Sequence, residues 1–359
     1  MNKLNIAVIG TGHLGKIHTR LLNEQDRANL VAIVEPNESA RQTIAQQYGV
    51  PGFATTEDVL PQIDAAIVAT PTSTHHSVAM ELLEAGKHVL IEKPIAFSTR
   101  ESHDIIHVAQ QNNCVAQIGH VERFNPAFLA ARADIQNPRY MELQRTSTFT
   151  GRSTDIGVVF DLMIHDIDLM LNLVDSSIVD VQALGMSVFG DNEDLAQARV
   201  TFANGTVANL SASRCSFVAE RSLSLYGSNG YVQADLSTRK LKRVCVPADI
   251  QAKQLVYNRL STEAKQGFAD RLFQEILPLA EVEVPATNAI ADEQADFIQA
   301  IENGVAPQVT AQDGHSALVV AKRILDSIRQ HTWSDNPFGA RGPLVSVDQL
   351  MTSPGRKIA

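Results

Sequence analysis

Asp161 and His165 have the residue types and the spacing of an acid–base pair. They are four positions apart in a stretch with a helical apolar pattern, near residues 161–174, and this spacing places both side chains on one helix face. The apolar neighbours predict that the stretch is buried, and a buried acid and histidine need polar partners. Histidine titrates near neutral pH, so it can act as a general base that the aspartate orients. An amphipathic helix can also carry such a pair without any chemistry.

Lys93 is a second candidate, because Glu92-Lys93-Pro94 ends a predicted strand. Ligands of doubly wound sheets bind at the carboxyl ends of the strands. A lysine cation at this edge can stabilise an alkoxide, with histidine as the base, whereas a neutral lysine can be the base itself. In isolation the segment is also typical of a surface lysine beside a turn proline.

The segment Gly10-Thr11-Gly12-His13-Leu14-Gly15 has the spacing G-x-G-x-x-G and joins a predicted strand to a predicted helix. In that context the first glycine makes the tight turn and the second lets the backbone approach a pyrophosphate. The third glycine lets helix and strand pack closely. The helix N-terminus also offers N–H groups to an anion. These six residues are therefore predicted to bind the pyrophosphate of a dinucleotide.

Glu35 lies 20 residues after Gly15, at the end of the second predicted strand. An acid in this place accepts hydrogen bonds from the adenosine ribose hydroxyls and repels a 2′-phosphate, so the predicted cofactor is NAD and not NADP. The opposing interpretation is a glycine-rich turn near a solvated surface glutamate. That interpretation requires strand, turn, helix and acid to coincide by chance.

The elements that must hold these residues form two groups. Short β-branched strands alternate with helical patterns from residue 4 to about residue 119, which predicts an α/β Rossmann domain with six strands in a doubly wound parallel sheet. After residue 120, a helix and several alternating strands joined by turns predict an α+β domain with a mostly antiparallel sheet. Residues from about 260 to 330 are predicted to be mostly helical. We expect an NAD-binding domain over residues 1–120 and a substrate-binding and oligomerisation domain over residues 121–359.

Composition narrows the partners. The net charge of the 359-residue chain is −10, which repels polyanions, so neither nucleic acid nor an anionic membrane is expected as a partner. The three cysteines are far apart and no histidine–cysteine set has zinc spacing, so no metal site is expected. No stretch reaches the roughly 18 apolar residues of a membrane span, and the N-terminus lacks a signal-peptide core. A cytoplasmic location is therefore expected.

Taken together, these motifs resemble the Gfo/Idh/MocA oxidoreductases over essentially the whole chain. Members have a Rossmann domain followed by a domain with an open-faced, mostly antiparallel sheet, and they move hydride between NAD(P) and a sugar-like carbinol. The resemblance implies that Lys93, Asp161 and His165 form the catalytic group. The motifs that carry it are Gly10-Thr11-Gly12-His13-Leu14-Gly15, Thr70-Pro71-Thr72-Ser73-Thr74-His75, Glu92-Lys93-Pro94 and Asp161-Leu162-Met163-Ile164-His165.

The resemblance also assigns binding residues. Besides the glycine turn and Glu35, it implies a cofactor-binding role for Thr70, Pro71, Thr72, His75, Glu92 and Lys93. His75 follows the fourth strand, where it is expected beside the nicotinamide.

Two segments are most similar to those of the UDP-N-acetylglucosamine 3-dehydrogenases within this family. They are Gly119-His120-Val121-Glu122-Arg123-Phe124-Asn125-Pro126 and Arg152-Ser153-Thr154-Asp155. The likeness implies oxidation of UDP-N-acetylglucosamine at C3, to the 3-keto precursor of a 3-amino sugar in lipid A-type pathways. Arg123, Asn125 and Arg152 are then expected to bind the substrate together with Lys93, Asp161 and His165, since arginine forks match phosphate geometry. The opposing interpretation is that the two arginines are exposed in loops.

Two other functions remain open from the sequence. A related dehydrogenase of an inositol or a free sugar needs no diphosphate site. A regulator that senses NAD(H) without turnover is possible because a fold does not fix a function, although the presence of Lys93, Asp161 and His165 together argues against it. Exposed sheet faces commonly pair subunits in this family, so a homodimer or homotetramer is expected.

Overall fold

A computed structural model describes residues 3–151, 156–189 and 192–331 of the chain. The chain forms two compact units, of which the first comprises Met1–Pro126 and Ala286–Val319 and the second comprises Ala127–Pro285 and the residues from Val320 onward. The boundary predicted at residue 120 placed residues 286–319 in the second domain, whereas in the structure these residues belong to the first unit. The division into an NAD-binding and a substrate-binding domain stays a prediction.

Six parallel strands form the sheet of the first unit. Their order is β3-β2-β1-β4-β5-β6, the order of a dinucleotide-binding Rossmann sheet. Strand β4, with the sequence Ala-Ala-Ile-Val, is buried at every position, as expected for a parallel sheet covered on both faces. The strands are β1 (Leu4–Ile9), β2 (Ala28–Val34), β3 (Gly52–Phe53), β4 (Ala65–Val68), β5 (His88–Glu92) and β6 (Ala116–Gly119).

Eight strands form the sheet of the second unit, in the order β14-β13-β12-β11-β7-β10-β9-β8. Neighbouring strands are antiparallel except β7 and β10, which pair in parallel. The predicted fold class is therefore confirmed. The strands are β7 (Tyr140–Thr146), β8 (Ile178–Met186), β9 (Leu195–Phe202), β10 (Val207–Ser213), β11 (Glu220–Gly227), β12 (Gly230–Asp235), β13 (Lys240–Cys245) and β14 (Leu279–Glu283).

The α-helices of the described residues range from 4 to 20 residues in length. In chain order they are α1 (His13–Asn23), α2 (Glu38–Tyr48), α3 (Thr72–Glu84), α4 (Thr99–Gln111), α5 (Pro126–Asp134), α6 (Ile164–Leu173), α7 (Ala248–Gln251), α8 (Thr262–Lys265), α9 (Phe268–Arg271), α10 (Ala289–Asn303) and α11 (Ala311–Gln330). A π-helical turn, Val159–Met163, leads directly into α6. None of the described helices is both long and apolar enough to span a membrane.

Helix α10 belongs to the first unit because its apolar face completes the core there. Phe297 and Ile298 are almost fully buried in one cluster with Ile6 and Val8 of β1. Residues beyond the helix also reach the edge strand β6, where Ile118 N–H donates to the Val309 carbonyl at 3.1 Å. A segment almost 300 residues from the N-terminus therefore supports the first strand of the chain.

Candidate functional site

The three glycines of the turn after β1 have the geometry that a G-x-G-x-x-G turn requires. Gly10 has a φ of +90°, and a Cβ there lies 2.6 Å from the Ala69 carbonyl oxygen. A Cβ on Gly15 collides with the Gly10 carbonyl oxygen, so α1 packs directly on the turn. A Cβ on Gly12 meets nothing within 4 Å. The backbone at Gly12, just before α1 begins at His13, therefore has open space in front of it.

Glu35 follows β2 and turns back toward the glycine turn. Its Oε2 accepts hydrogen bonds from Thr11 N–H at 3.0 Å and Thr11 Oγ1 at 2.9 Å, and its Oε1 accepts from Asn37 N–H at 3.0 Å. Partial burial raises the pKa of Glu35, but the hydrogen bonds from Asn37 and Thr11 outweigh it, so the pKa lies below its ordinary value. An ionised carboxylate at this strand end, beside an open backbone at Gly12, fits the ribose and pyrophosphate of NAD.

Arg41 is a neighbour of this site that the sequence analysis missed. Its Nη1 donates to the carbonyl oxygens of Glu35, at 2.7 Å, and Pro36, at 3.1 Å. The residue lies on α2, one turn after Asn37, whose side chain accepts from Ala40 N–H at the start of that helix. Six residues separate Arg41 from Glu35, and the turn between them brings the cation to the end of β2.

His75 lies on α3, which follows the end of β4 and the segment Thr70-Pro71. Its side chain is buried, and both ring nitrogens face backbone oxygens, Nδ1 at 2.8 Å from Pro94 and Nε2 at 2.9 Å from Thr70. Burial lowers the pKa of His75 more than these two carbonyls raise it. His75 therefore joins the ends of β4 and β5, and its predicted contact with the cofactor stays a prediction, as do those of Thr70, Pro71 and Thr72.

Glu92 and Lys93 lie where β5 ends. The Glu92 carboxylate is 7% exposed; its Oε1 lies 2.8 Å from His18 Nε2, and its Oε2 accepts from Lys93 N–H at 3.2 Å. Burial raises the pKa of Glu92, but the hydrogen bond from His18 and the attraction of Lys93 hold it below its ordinary value. Glu92 is therefore an internal partner of Lys93 and His18. Lys93 itself is half-buried, at the carboxyl edge of the parallel sheet where ligands bind.

Arg123 and Asn125 belong to the segment after β6, where residues Val121–Phe124 form a short 3-10 helix. Arg123 is only 6% exposed, and its Nη2 lies 3.7 Å from the Asp313 carboxylate. The opposing interpretation of Arg123 as an exposed loop residue is therefore wrong, and its charge is already matched by an acid. Asn125 donates to Glu122 Oε2 at 2.9 Å. The substrate contacts of both residues stay predictions, and Arg152 lies outside the described residues.

Asp161 and His165 lie in the second unit, on the π-helical turn and on α6 respectively. Both are half-buried, whereas Asp166 and Asp168 are fully buried. The expectation that the stretch is buried therefore holds for Val158, Val159, Met163 and Ile164 but not for Phe160, Leu162 or this pair. A π turn is rare and often occurs at functional sites. Here it carries Asp161, and α6, which carries His165, begins directly after it.

Glu193 supports the turn that carries Asp161. Its carbonyl oxygen accepts from Val158 N–H at 2.9 Å, and its Oε1 accepts from Val159 N–H at 3.1 Å. A Cβ at Gly157 collides with the Glu193 carboxylate, so a side chain at this position requires that carboxylate to move. Burial raises the pKa of Glu193 above its ordinary value.

Two buried ion pairs fix the surrounding backbone, and the sequence analysis identified neither. Arg145 of β7 contacts both carboxylate oxygens of Asp166, the residue after His165. Arg214 Nε donates to Asp194 at 2.6 Å, and its Nη1 donates to the Ile156 carbonyl at 2.8 Å. The strand β7 has the alternating pattern that would have revealed Arg145 as an inward-facing cation.

Within residues 3–151, 156–189 and 192–331, no group of three or more His, Cys, Asp or Glu side chains could hold a metal ion.

Residues 4–120 match the oxidoreductase family with an NAD-binding Rossmann fold, and residues 118–233 match the GFO/IDH/MocA C-terminal domain. A UDP-N-acetylglucosamine 3-dehydrogenase of Acidithiobacillus ferrooxidans is 38% identical over 242 residues, 67% of this chain and 77% of the relative. An inositol 2-dehydrogenase of Rhizobium meliloti is 26% identical, with 91% of this chain and 97% of the relative covered.

Solved structures agree with the sequence comparisons. The structure of UDP-N-acetylglucosamine 3-dehydrogenase GnnA from Acidithiobacillus ferrooxidans is similar with a TM-score of 0.80 and 31% identity, over 91% of this chain and 98% of that one. The glycine turn, the 3-2-1-4-5-6 sheet and these likenesses confirm both the predicted family and the predicted cofactor, NAD. The chain belongs to the Gfo/Idh/MocA family of NAD-binding oxidoreductases.

Proposed function

We propose that the chain oxidises C3 of the sugar in UDP-N-acetylglucosamine, with NAD as the hydride acceptor. The observation that carries the proposal is the 38% identity to a UDP-N-acetylglucosamine 3-dehydrogenase, which extends over 77% of that relative. The inositol 2-dehydrogenase is less similar, at 26% identity. A 3-keto sugar nucleotide is the substrate for a 3-aminotransferase, so the product would serve 3-amino sugar synthesis of the lipid A type.

Oxidation of a secondary alcohol needs a base for the hydroxyl proton and a stabiliser for the negative oxygen. In this proposal His165 takes the proton, Lys93 stabilises the alkoxide with its ammonium group, and Asp161 orients these partners. Bound NAD supplies the acceptor for the hydride that leaves the carbinol carbon. The alternative is that neutral Lys93 takes the proton, and His165 then orients the sugar.

The diphosphate of the substrate needs cationic donors, because the net charge of −10 provides no general attraction. Arg123 and Arg152 are the candidates that the sequence resemblance favours. Arg123 is a weaker candidate than the sequence suggested, since it is buried beside Asp313. We therefore expect Arg152→Ala to raise KM for the UDP-sugar more than Arg123→Ala does.

The test is a coupled assay with purified protein, NAD and UDP-N-acetylglucosamine. Oxidation of alcohols by NAD is usually unfavourable near neutral pH, so a 3-aminotransferase and glutamate are added to trap the ketone. We expect mass spectrometry to detect a UDP-3-amino sugar, and NMR to locate the new amine at C3.

Free N-acetylglucosamine and myo-inositol are the matched controls. We expect no turnover of either, and measurable binding of UDP alone. Comparable turnover of myo-inositol, or oxidation at C2 or C4, would contradict the proposed substrate while leaving the family unchanged. If the protein binds NADH but turns over none of these compounds, the result would favour an NAD(H)-sensing regulator.

We also propose that the protein works in the cytoplasm as a homodimer or homotetramer. Support comes from the resemblance, since open sheet faces commonly pair subunits in this family. Light scattering coupled to size-exclusion chromatography distinguishes these states from a monomer of 39.1 kDa.

A further inference from the structure

A buried polar chain of three side chains lies next to Lys93 in the first unit. Glu92 Oε2 accepts from the backbone N–H of Lys93, and its Oε1 lies 2.8 Å from His18 Nε2. On the other side of the imidazole, His18 Nδ1 lies 3.0 Å from the side-chain nitrogen of Gln294. The exposed fractions are 7% for Glu92, 0% for His18 and 1% for Gln294. The chain therefore connects α10 through α1 to the end of β5.

Gln294 determines which nitrogen of His18 carries the proton. Its amide nitrogen also lies 3.1 Å from the His18 carbonyl oxygen, and a carbonyl can only accept, so the NH₂ group must face in this direction. That NH₂ group also faces Nδ1, which must then act as an acceptor. The ring proton of neutral His18 is therefore on Nε2, where it donates to the Glu92 carboxylate.

Gly119 is the neighbour of Glu92 on the adjacent strand. Glu92 pairs with Gly119 of β6, and a Cβ on Gly119 would lie 3.1 Å from Glu92 Oε2 and 3.2 Å from Glu92 Cδ. A side chain at residue 119 would crowd the carboxylate, and glycine leaves it the space that it occupies. Each oxygen of Glu92 faces a nitrogen, His18 Nε2 for Oε1 and the Lys93 backbone N–H for Oε2.

We propose that His18 and Gln294 are positioning residues for Lys93. They hold Glu92 as a carboxylate in one orientation, and Glu92 in turn fixes the backbone N–H of Lys93 and supplies the counter-charge to its ammonium group. The inference deepens the proposed function, on which the catalytic role of Lys93 rests. It adds His18 and Gln294, which lie outside the motif Glu92-Lys93-Pro94 and are 276 residues apart in sequence.

The protonation of His18 is tested by NMR of ¹⁵N-histidine-labelled full-length protein, with the His18 signals assigned from their loss in His18→Gln. We expect the His18 signals to show a proton on Nε2 and none on Nδ1. The Nδ1–H form in the unaltered protein would overturn the assignment. None of these measurements requires a substrate.

The link to Lys93 is tested with His18→Leu, which removes the donor, and His18→Gln, which keeps an amide donor. We expect the Lys93 amide proton resonance to shift in His18→Leu and to return toward its original position in His18→Gln. The matched control is His88→Leu at the other end of β5, where His88 Nδ1 accepts from Val115 N–H. A Lys93 resonance that moves equally in His88→Leu, or not at all in His18→Leu, would contradict the link.

The kinetic consequence separates positioning from a general loss of stability. We expect His18→Leu to lower kcat by up to about 10²-fold, the cost of misplacing a catalytic group by roughly 1 Å, with the Kd for NAD unchanged. His18→Gln should recover most of kcat. Adding His18→Leu to Glu92→Gln should cost little more than Glu92→Gln alone, since both act through one carboxylate. Additive losses would contradict the proposal, whereas full activity of Lys93→Met would instead contradict the proposed function.

Discussion

Arg145 holds Asp166 in a buried, two-point ion pair immediately after His165. Arg145 Nη2 lies 2.8 Å from Asp166 Oδ1, and Arg145 Nε lies 3.2 Å from both carboxylate oxygens. The exposed fractions of the two residues are 3% and 1%. Because Arg145 is on β7 and Asp166 is on α6, this pair fixes the helix that carries His165 to the sheet of the second unit.

Arg145→Met is expected to lower the free energy of unfolding of the second unit by about 3–5 kcal/mol, because it leaves a buried carboxylate without its counter-charge. The double variant Arg145→Met/Asp166→Leu should recover most of this loss, since an apolar pair of similar volume tolerates burial. Urea unfolding followed by circular dichroism measures the effect. Arg243→Met is the control, because the Arg243–Asp134 pair is partly exposed, and it should cost at most about 1 kcal/mol. Equal losses for Arg145→Met and Arg243→Met would contradict this prediction.

Gly157→Ala is expected to displace the π-helical turn that carries Asp161, because the added Cβ collides with the Glu193 carboxylate. Truncation of that carboxylate in Gly157→Ala/Glu193→Ala provides space for the methyl group. We therefore expect kcat/KM to fall in Gly157→Ala and to be higher in the double variant than in Gly157→Ala. Glu193→Ala alone is the matched control. A double variant less active than Gly157→Ala would show that the collision is not the cause.

The sequence predicted the parallel sheet well because its information is local. Alternating βαβ segments, a G-x-G-x-x-G turn and an acid 20 residues later all lie within one continuous stretch. The strands of the second sheet were harder to predict. Strand β7 was missed, although Met141 and Leu143 alternate with polar residues, and β14 was predicted to be helical because it lies just before the regular helix α10.

The contacts between the supporting residues of the site could not be predicted for a different reason. Gln294 meets His18 across 276 residues, and Arg145 meets Asp166 across 21, so neither pair leaves a pattern at any fixed spacing. For Arg123, the sequence motif identified the residue but not its partner in the fold. Its motif indicated a cation near the substrate, but only the fold shows that Asp313 lies 3.7 Å from it.

Stability is expected to fall between about pH 7 and pH 5 through histidines of the first unit. Burial lowers the pKa of His75, His88 and His315, whereas unfolded histidine titrates near 6.5. The unfolded chain therefore binds more protons in this range, and the buried His75 lowers the free energy of unfolding by up to about 1.4 kcal/mol per pH unit as the pH falls. Urea titrations at pH 8, 6.5 and 5 should give a smaller slope for His75→Gln than for the unaltered protein. Equal slopes would contradict this assignment.

Glu35→Ser is expected to narrow the preference for NAD over NADP. The substitution removes the charge that repels a 2′-phosphate, and Arg41, bound to the Glu35 and Pro36 carbonyls, can then pair with that phosphate. Glu35→Ser/Arg41→Ala should lose the gain in NADP affinity, and Arg41→Ala alone should leave NAD binding nearly unchanged. Calorimetric Kd values for both cofactors, with kcat/KM for each, measure the effect. Preference of the unaltered protein for NADP would overturn the role of Glu35.

Lys93→Met and His165→Ala are each expected to slow hydride transfer by roughly 10²–10⁴-fold, the range typical of general acid–base groups. His165 is predicted to act at the carbinol and not at the cofactor, whereas Lys93 is also predicted to contact the cofactor. The Kd for NAD should therefore change little in His165→Ala. Single-turnover oxidation of UDP-N-acetylglucosamine, followed by rapid quench, isolates the chemical step from product release.

The two variants also distinguish the two candidate bases. If His165 takes the proton, a loss in His165→Ala should be partly rescued by added imidazole, and the rescue should grow with the concentration of the neutral form. If Lys93 takes the proton, added alkylamines should rescue Lys93→Met in the same way, and His165→Ala should retain most of its single-turnover rate. If Lys93 instead acts as a cation, a third result is expected: alkylammonium ions should rescue Lys93→Met best at a pH at which they are charged. Because the charge state of the rescuing compound is known at each pH, the dependence of rescue on pH assigns the proton to one residue.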